Sequence, residues 1–206
     1  MTIYKHHAGS YDQATAMSNW LRRRAVEQLD LRPGSTVIDV GCGTGLCFPY
    51  LQDAIGPTGC LVAIDESGPM LEQAMAAADR HGWRNITPVL GRAEDVSIST
   101  EADAVLFCAV HDVLRSPMAV KNILARVRSG GRVAAAGGKW PPLWLWPLHL
   151  VVAATHAPYV SSLDDFDRPW HLLDEHCTGL QVEDTALAMG YLAAGTMPTG
   201  DNPPGQ

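Results

Sequence analysis

An α/β fold with a doubly wound, mostly parallel sheet is predicted from three observations on the 206-residue chain. Short apolar runs alternate with segments of helical periodicity from Thr36 to Ala136. Several runs, such as Leu61-Val-Ala-Ile64 and Ala104-Val-Leu-Phe107, lack polar alternation, as strands covered on both faces do. A glycine-rich turn, Gly41-Cys-Gly-Thr-Gly45, joins the first run to the first helical segment after it. Repeated strand–helix alternation is the pattern of a parallel sheet with right-handed crossovers and helices on both faces.

Residues Gln13–Leu29 read as an amphipathic helix, with Met17, Trp20, Leu21, Val26 and Leu29 mostly on one face, broken by Arg32-Pro-Gly-Ser35. Thr36–Val40 is the first strand, and Leu46–Ala54 a helix closed by Gly56-Pro57. Leu61–Asp65 is a strand, followed by a helix from Pro69 to about His81 with Ser67 as its cap. Ile86–Leu90 and Ala104–Cys108 are strands, Pro117–Val127 a helix, and Arg132–Ala136 the fifth strand. Beyond Gly137, Trp140–Pro158 starts irregularly and leads into a helix, Ser161–Arg168 is polar loop, and Trp170–Cys177 a short helix. Gln181–Ala188 and Tyr191–Met197 read as a hairpin. One domain over residues 1–198 is expected, with 1–30 as an N-terminal lid and 199–206 as a disordered tail.

With 47% hydrophobic and 18% charged residues, the chain has ample core material. A net charge of −7 argues against nucleic acid and anionic membrane as partners. The one compact basic run, Arg22-Arg-Arg24, is expected to splay around its helix into solvent. Five cysteines without a CxxC pair, and no apolar leader, point to reduced thiols in the cytoplasm. Leu143–Ala154 is too short and too broken by Pro147 and His149 to span a bilayer, so a soluble protein without a transmembrane segment is expected. The eight histidines show no metal-ligand spacing, so no metal is expected.

The chemistry concentrates at Val37-Ile-Asp-Val-Gly-Cys-Gly-Thr-Gly45, where strand meets helix. Glycines are needed where the backbone turns sharply and a ligand lies against bare main chain. Nicotinamide enzymes use G-x-G-x-x-G; here Gly41, Gly43 and Gly45 fall at alternate positions, and Asp39 stands two residues before the first. A carboxylate there suits a ligand with an ammonium and a sulfonium better than a pyrophosphate, which points to S-adenosyl-L-methionine. Asp65 ends the neighbouring strand twenty residues beyond Gly45, where it would accept bonds from both ribose hydroxyls.

With these motifs the sequence resembles the class I, Rossmann-like S-adenosylmethionine-dependent methyltransferases, in particular the ubiquinone/menaquinone-biosynthesis-like group. The match covers residues 11–137 well and the rest loosely. It implies a seven-stranded sheet, parallel except for one strand of the terminal hairpin. It places Tyr11, of Tyr11-Asp12 in the lid, against the methionyl end of the cofactor. Gly91-Arg-Ala-Glu-Asp-Val96 falls where the family reads Gly-Asp-Ala, a loop that recognises adenine. Because Arg92 replaces that Asp, the exocyclic amine must be met by Glu94, Asp95 or a main-chain carbonyl. Cys42, Glu66, Met70, Ala93, Phe107 and Cys108 complete the candidate cofactor contacts, with Cys108 a small packed residue rather than a nucleophile.

Methyl transfer is an in-line displacement at an activated carbon, so the protein mainly aligns the partners and excludes water. A base is needed only where the nucleophile carries a proton to be lost. His111, followed by Asp112, is the candidate, just past the carboxyl end of the fourth strand; bracing the next helix is its alternative role. Relative to Pro117 this His is displaced by one position from the family's Leu-His-His-Val-x-Asp-Pro, so the family role does not transfer directly. Residues 138–178 are expected to be the acceptor-binding insertion. Trp140, Trp144, His149, Tyr159 and Trp170 are its candidate pocket residues, with Phe166-Asp-Arg-Pro-Trp-His171 as a closing loop. The expected reaction is methylation at N or O of a small, fairly apolar acceptor, such as a natural-product intermediate, a quinone precursor or a lipid amine, with S-adenosyl-L-homocysteine as product. A non-catalytic cofactor-binding protein and a nicotinamide oxidoreductase are the alternatives; the chain lacks a Tyr-x-x-x-Lys pair for the latter. Oligomeric state is left open, a homodimer being one option.

Overall fold

The computed structural model describes residues 19–157, 160–185 and 188–199. Tyr11, Tyr159, the first turn and a half of the predicted 13–29 helix, residues 186–187 of the predicted first hairpin strand and the 200–206 tail lie outside the described residues.

The chain order is α1 (Asn19–Glu27), β1 (Thr36–Val40), α2 (Phe48–Ile55), β2 (Cys60–Asp65), α3 (Gly68–His81), β3 (Ile86–Leu90), β4 (Ala102–Cys108), α4 (His111–Leu114), α5 (Pro117–Leu124) and β5 (Val127–Gly138). A 3-10 turn (Leu143–Leu145), α6 (Trp146–His156), α7 (His171–His176), β6 (Thr178–Thr185) and β7 (Gly190–Thr196) follow. The strands form one seven-stranded sheet in the order β3-β2-β1-β4-β5-β7-β6. β7 runs antiparallel to both β5 and β6, and every other pair is parallel. The chain winds outward from β1 toward β3 and then resumes from β1 toward β5. The crevice between the carboxyl ends of β1 and β4 is therefore the topological switch point, where such sheets bind ligands.

Strand alternation divides the core between the two faces. Val37, Leu61, Ala63, Ala104 and Leu106 point toward Val26, Phe48, Leu51 and Ala74 on α1, α2 and α3. Ile38, Val62, Ile64, Val105 and Phe107 point the other way, toward Val120, Ile123 and Leu173 on α5 and α7. Both clusters are closed to solvent, which is why these strands carry unbroken apolar runs.

Three details differ from the sequence expectations. The helix predicted over Pro117–Val127 ends at Leu124, and Val127 begins β5, which pairs with β4 through an irregular register before Arg132. Two glycines, Gly130 and Gly131, allow that bend, and the apolar Val127 fits a strand as well as a helix. Arg22 is 4% exposed rather than solvated. It stands three, four and seven residues before the buried Ala25, Val26 and Leu29, so helical spacing puts it on the inward face, while Trp20 is 59% exposed. Ser67 occupies the cap position of α3 without a side-chain cap bond; its N–H instead donates to Asp65 Oδ1 at 2.8 Å.

Candidate active site

β1 ends at Val40 and the chain turns through Gly41, Gly43 and Gly45, all with positive φ (63°, 57° and 83°). The three serve different purposes. A Cβ at Gly41 would lie 2.5 Å from Val110 Cγ1, and one at Gly45 2.8 Å from the Phe48 ring, so those two let the loop pack on its neighbours. Nothing lies within 4 Å of a Cβ at Gly43, whose backbone borders open space. The Gly43 N–H donates to Asp65 Oδ2 at 2.7 Å, fastening the glycine turn to the end of β2.

That open space is a cavity of about 450 Å³ over the carboxyl ends of β1, β2 and β4, within the size range of small-molecule sites. Gly41, Gly43, Asp65, Glu66 and Met70 form one side, and Arg92, Ala93 and Glu94 another. His111 and Asp112 form the far end. A second, smaller cavity of about 30 Å³ shares Gly41, Gly43 and Ala109 with it. Asp39, Cys42 and Cys108 line this smaller space, together with Arg22.

Asp39 is 2% exposed, and its Oδ2 is buried without a hydrogen-bond partner. Burial pushes its carboxyl well above the usual range, with the neighbouring Cys108 and Asp65 adding to the effect and the Arg22 cation opposing it. Asp65 is likewise raised by burial, with the Ser67 and Gly43 amides pulling it back. Two acidic groups thus wait beside a cavity, one with an unsatisfied oxygen. A cationic ligand with hydroxyls would answer both. S-adenosyl-L-methionine is such a ligand, and the residues present fit it: bare backbone at Gly43, the orphaned Asp39 oxygen and the anchored Asp65 carboxylate.

At the far end, α4 is clasped by residues 161–166. The buried His111 donates from Nε2 to the Asp164 carbonyl at 3.0 Å, and its Nδ1 is buried with no partner. Burial lowers the His111 pKa from its ordinary 6.5, so the ring is neutral near pH 7, with the lone pair on Nδ1. The Asp112 carboxylate accepts from Ser161 N–H at 2.9 Å and Ser161 Oγ–H at 2.8 Å. Arg115 pairs with Asp164 and Asp165 at 3.4 and 3.5 Å.

Five predicted residues stand elsewhere. Phe107 is fully buried in the core, because strand alternation turns it to the face opposite Asp39 and Cys108. Trp140 stacks on His149 with ring centroids 5.1 Å apart, and His149 Nε2 bonds the Pro141 carbonyl at 2.9 Å. Trp170 packs on Tyr191 at 4.9 Å, and Trp144 is 77% exposed. None of them lines the cavity. Instead Trp140 meets Phe166 edge-on at 5.6 Å, and Phe166 meets His111 at 4.7 Å, so the insertion's aromatic cluster braces the clasp from behind. Gly45 also stays out of both cavities, acting through Phe48.

Residues 37–131 match the methyltransferase-domain family. That stretch carries a methyltransferase domain. The nocamycin O-methyltransferase of Saccharothrix syringae is 31% identical over 179 residues, covering 78% of this chain and 63% of the relative. The aklanonic acid methyltransferase of a Streptomyces species (strain C5) is 33% identical over 117 residues, covering 54% and 52%. This chain therefore spans between about half and two-thirds of those relatives. A S-adenosylmethionine-dependent methyltransferase structure from Aquifex aeolicus shares the fold at a TM-score of 0.64 and 17% identity, over 92% of this chain and 96% of that one. Other relatives are named as ribosomal protein L11 and demethylmenaquinone methyltransferases, so the comparisons do not single out the ubiquinone/menaquinone-like group.

Sequence reasoning missed Arg22, Val110 and Ser161 as wall residues of the two cavities. The spacing of Arg22 from Ala25, Val26 and Leu29 was a usable signal. Ser161 reaches the wall from a polar loop without periodicity, and nothing in its local sequence marks it. Among the described residues no three His, Cys, Asp or Glu side chains are placed to hold a metal ion, and no helix is long and apolar enough to cross a membrane.

Proposed function

We propose that this chain transfers the methyl group of S-adenosyl-L-methionine to an oxygen or nitrogen of a small, fairly apolar acceptor, with a proton-bearing hydroxyl as the preferred nucleophile. The observation that carries the preference is the neutral His111, which lines the acceptor end of the cavity with Nδ1 unpartnered. A group with that tautomer is a base waiting for a proton. The O-methyltransferase of Saccharothrix syringae supports the same choice.

When bound, the cofactor supplies a methyl on a carbon already activated by a sulfonium. The chain's own residues divide the remaining work. Asp39 and the Gly41–Gly45 turn would receive the cationic methionyl portion, and Asp65 the ribose diol. Of the three candidates for the adenine amine, the Glu94 side chain is in the cavity wall, where it pairs with Arg92 at 3.0 Å, and Asp95 is outside it. His111 would take the proton from an acceptor hydroxyl onto Nδ1 as the oxygen attacks, its Nε2–H bond to Asp164 fixing ring orientation. The Asp112–Ser161 clasp would hold the 161–166 loop beside that end.

Formation of S-adenosyl-L-homocysteine across matched hydroxyl and amine acceptors tests the reading. Hydroxyl acceptors with acidic O–H groups should give product, and His111→Gln should remove most of that turnover. No product with any acceptor, or full turnover by His111→Gln, would overturn it.

A further inference from the structure

The methionyl end of S-adenosyl-L-methionine carries a carboxylate beside its ammonium, and a carboxylate taken out of water needs a cation or N–H donors. Asp39 would answer the ammonium and repel the carboxylate. Among the described residues, two arginines line the cavities. Arg92 stands on the wall of the large one, its side chain 54% exposed and paired with Glu94 at 3.0 Å. Arg22 lines the small one together with Asp39 and is 4% exposed.

The fold brings Arg22 and Asp39 to one space. Asp39 lies two residues beyond Val37, so strand alternation turns it to the sheet face that α1 covers through Ala25, Val26 and Leu29. Arg22 precedes those three residues by three, four and seven positions, on the same stripe of α1. Its side chain is tethered, with Nη1 donating to Asn19 Oδ1 at 2.9 Å. Asp39 Oδ2 makes no hydrogen bond, so Arg22 does not satisfy that oxygen. A buried cation and a buried acid thus border one small cavity, which meets the large one at Gly41, Gly43 and Ala109. Opposite charges side by side are what the two charges of an α-amino acid require.

We propose that the Arg22 guanidinium receives the α-carboxylate of the cofactor while Asp39 takes its ammonium, so that the small cavity reads the amino-acid end of the ligand as a zwitterion. The identity of that ligand rests on the proposed function. A guanidinium holds a carboxylate through two parallel N–H···O bonds, which would fix the methionyl chain and, through it, the position of the sulfonium.

Calorimetric titration of the full chain with S-adenosyl-L-homocysteine and with its decarboxylated analogue, which keeps the ammonium alone, is the test. The parent should bind the analogue about tenfold or more weakly than S-adenosyl-L-homocysteine. Arg22→Gln should weaken S-adenosyl-L-homocysteine by a similar factor, yet bind the analogue as well as the parent does or better, because a cation opposing the ammonium is gone. Arg22→Lys, which keeps the charge without the planar fork, should fall between, and Arg92→Gln should keep the parent's preference. Equal binding of the two ligands by the parent overturns the assignment without any variant having to fold. Equal weakening of both ligands in Arg22→Gln, or loss of the preference in Arg92→Gln, overturns it too. A parent that binds neither ligand overturns the proposed function and this assignment together.

Discussion

Replacing Asp65 with alanine separates two jobs that the structure gives to one carboxylate. Oδ2 accepts the Gly43 N–H at 2.7 Å and Oδ1 accepts the Ser67 N–H at 2.8 Å. Hydrogen bonds to a charged acceptor contribute about 1.5–3 kcal/mol each, and a partly exposed group belongs at the low end. The burial that raises the Asp65 pKa offsets part of that gain. A net loss of about 2–3 kcal/mol is expected, which for a chain of this size lowers Tm by roughly 4–12 °C. If the carboxylate also accepts both ribose hydroxyls, truncation weakens the cofactor by about 1–3 kcal/mol, or roughly 5- to 150-fold in Kd. Scanning fluorimetry reads the first effect and calorimetry with S-adenosyl-L-homocysteine the second. Asp65→Asn should fall between parent and alanine variant in Tm, because its amide nitrogen faces one of the two backbone N–H donors. A lowered Tm with unchanged Kd would refute the ribose role while leaving the anchoring intact; an unchanged Tm would refute the anchoring.

His111 has a folded pKa below its ordinary 6.5, so the unfolded chain takes up that proton first. Its contribution to stability is therefore complete above about pH 6.5 and is lost as pH falls through the lowered folded value. As a base it should also give kcat/KM an acid limb below pH 6.5, absent from the residual activity of His111→Gln; the same limb in that variant would assign it to another group. Gly45→Ala forces a left-handed residue (φ 83°) against the Phe48 ring at 2.8 Å, so a loss of about 2–4 kcal/mol is expected, measured by urea denaturation. Asp112→Ala removes both Ser161 bonds and should raise the acceptor KM several-fold while leaving cofactor Kd near the parent value. Equal loss of both affinities would show that the clasp serves the whole cavity.

Much of the fold was legible because its determinants are local. Ile86–Leu90 and Thr36–Val40 begin and end where their apolar runs do, bounded by turns. The discrepancies arise where two patterns overlap. Val127 satisfies the period of the helix before it and the strand after it, and the sheet decides the matter through pairing with Ala102. Three consecutive arginines splay around a helix, so one of them can turn inward, and the spacing of Arg22 from three buried residues says which; a cavity with the Asp39 carboxylate makes burial of a guanidinium tolerable.

The two ends of the site differ in legibility for a geometric reason. The cofactor end is made at the tips of adjacent parallel strands, and each tip carries its own short motif. Register then does the assembly: Asp39 pairs with Ala63 and Leu106, so the turn after β1 must sit beside Asp65 and Cys108. The acceptor end has no such register. His111 reaches Asp164 across 53 residues and Asp112 reaches Ser161 across 49, from a loop whose position is set by tertiary packing of Phe166 under His111. Aromatic composition pointed to Trp140–Trp170 as a pocket, yet aromatic rings serve equally as packing, and here Trp140 supports Phe166 from behind. The insertion thus shapes the acceptor end through the clasp it holds in place rather than through its own rings. It follows that Ser161, which lines the cavity, and not the tryptophans, is the position at which a change should alter acceptor choice directly.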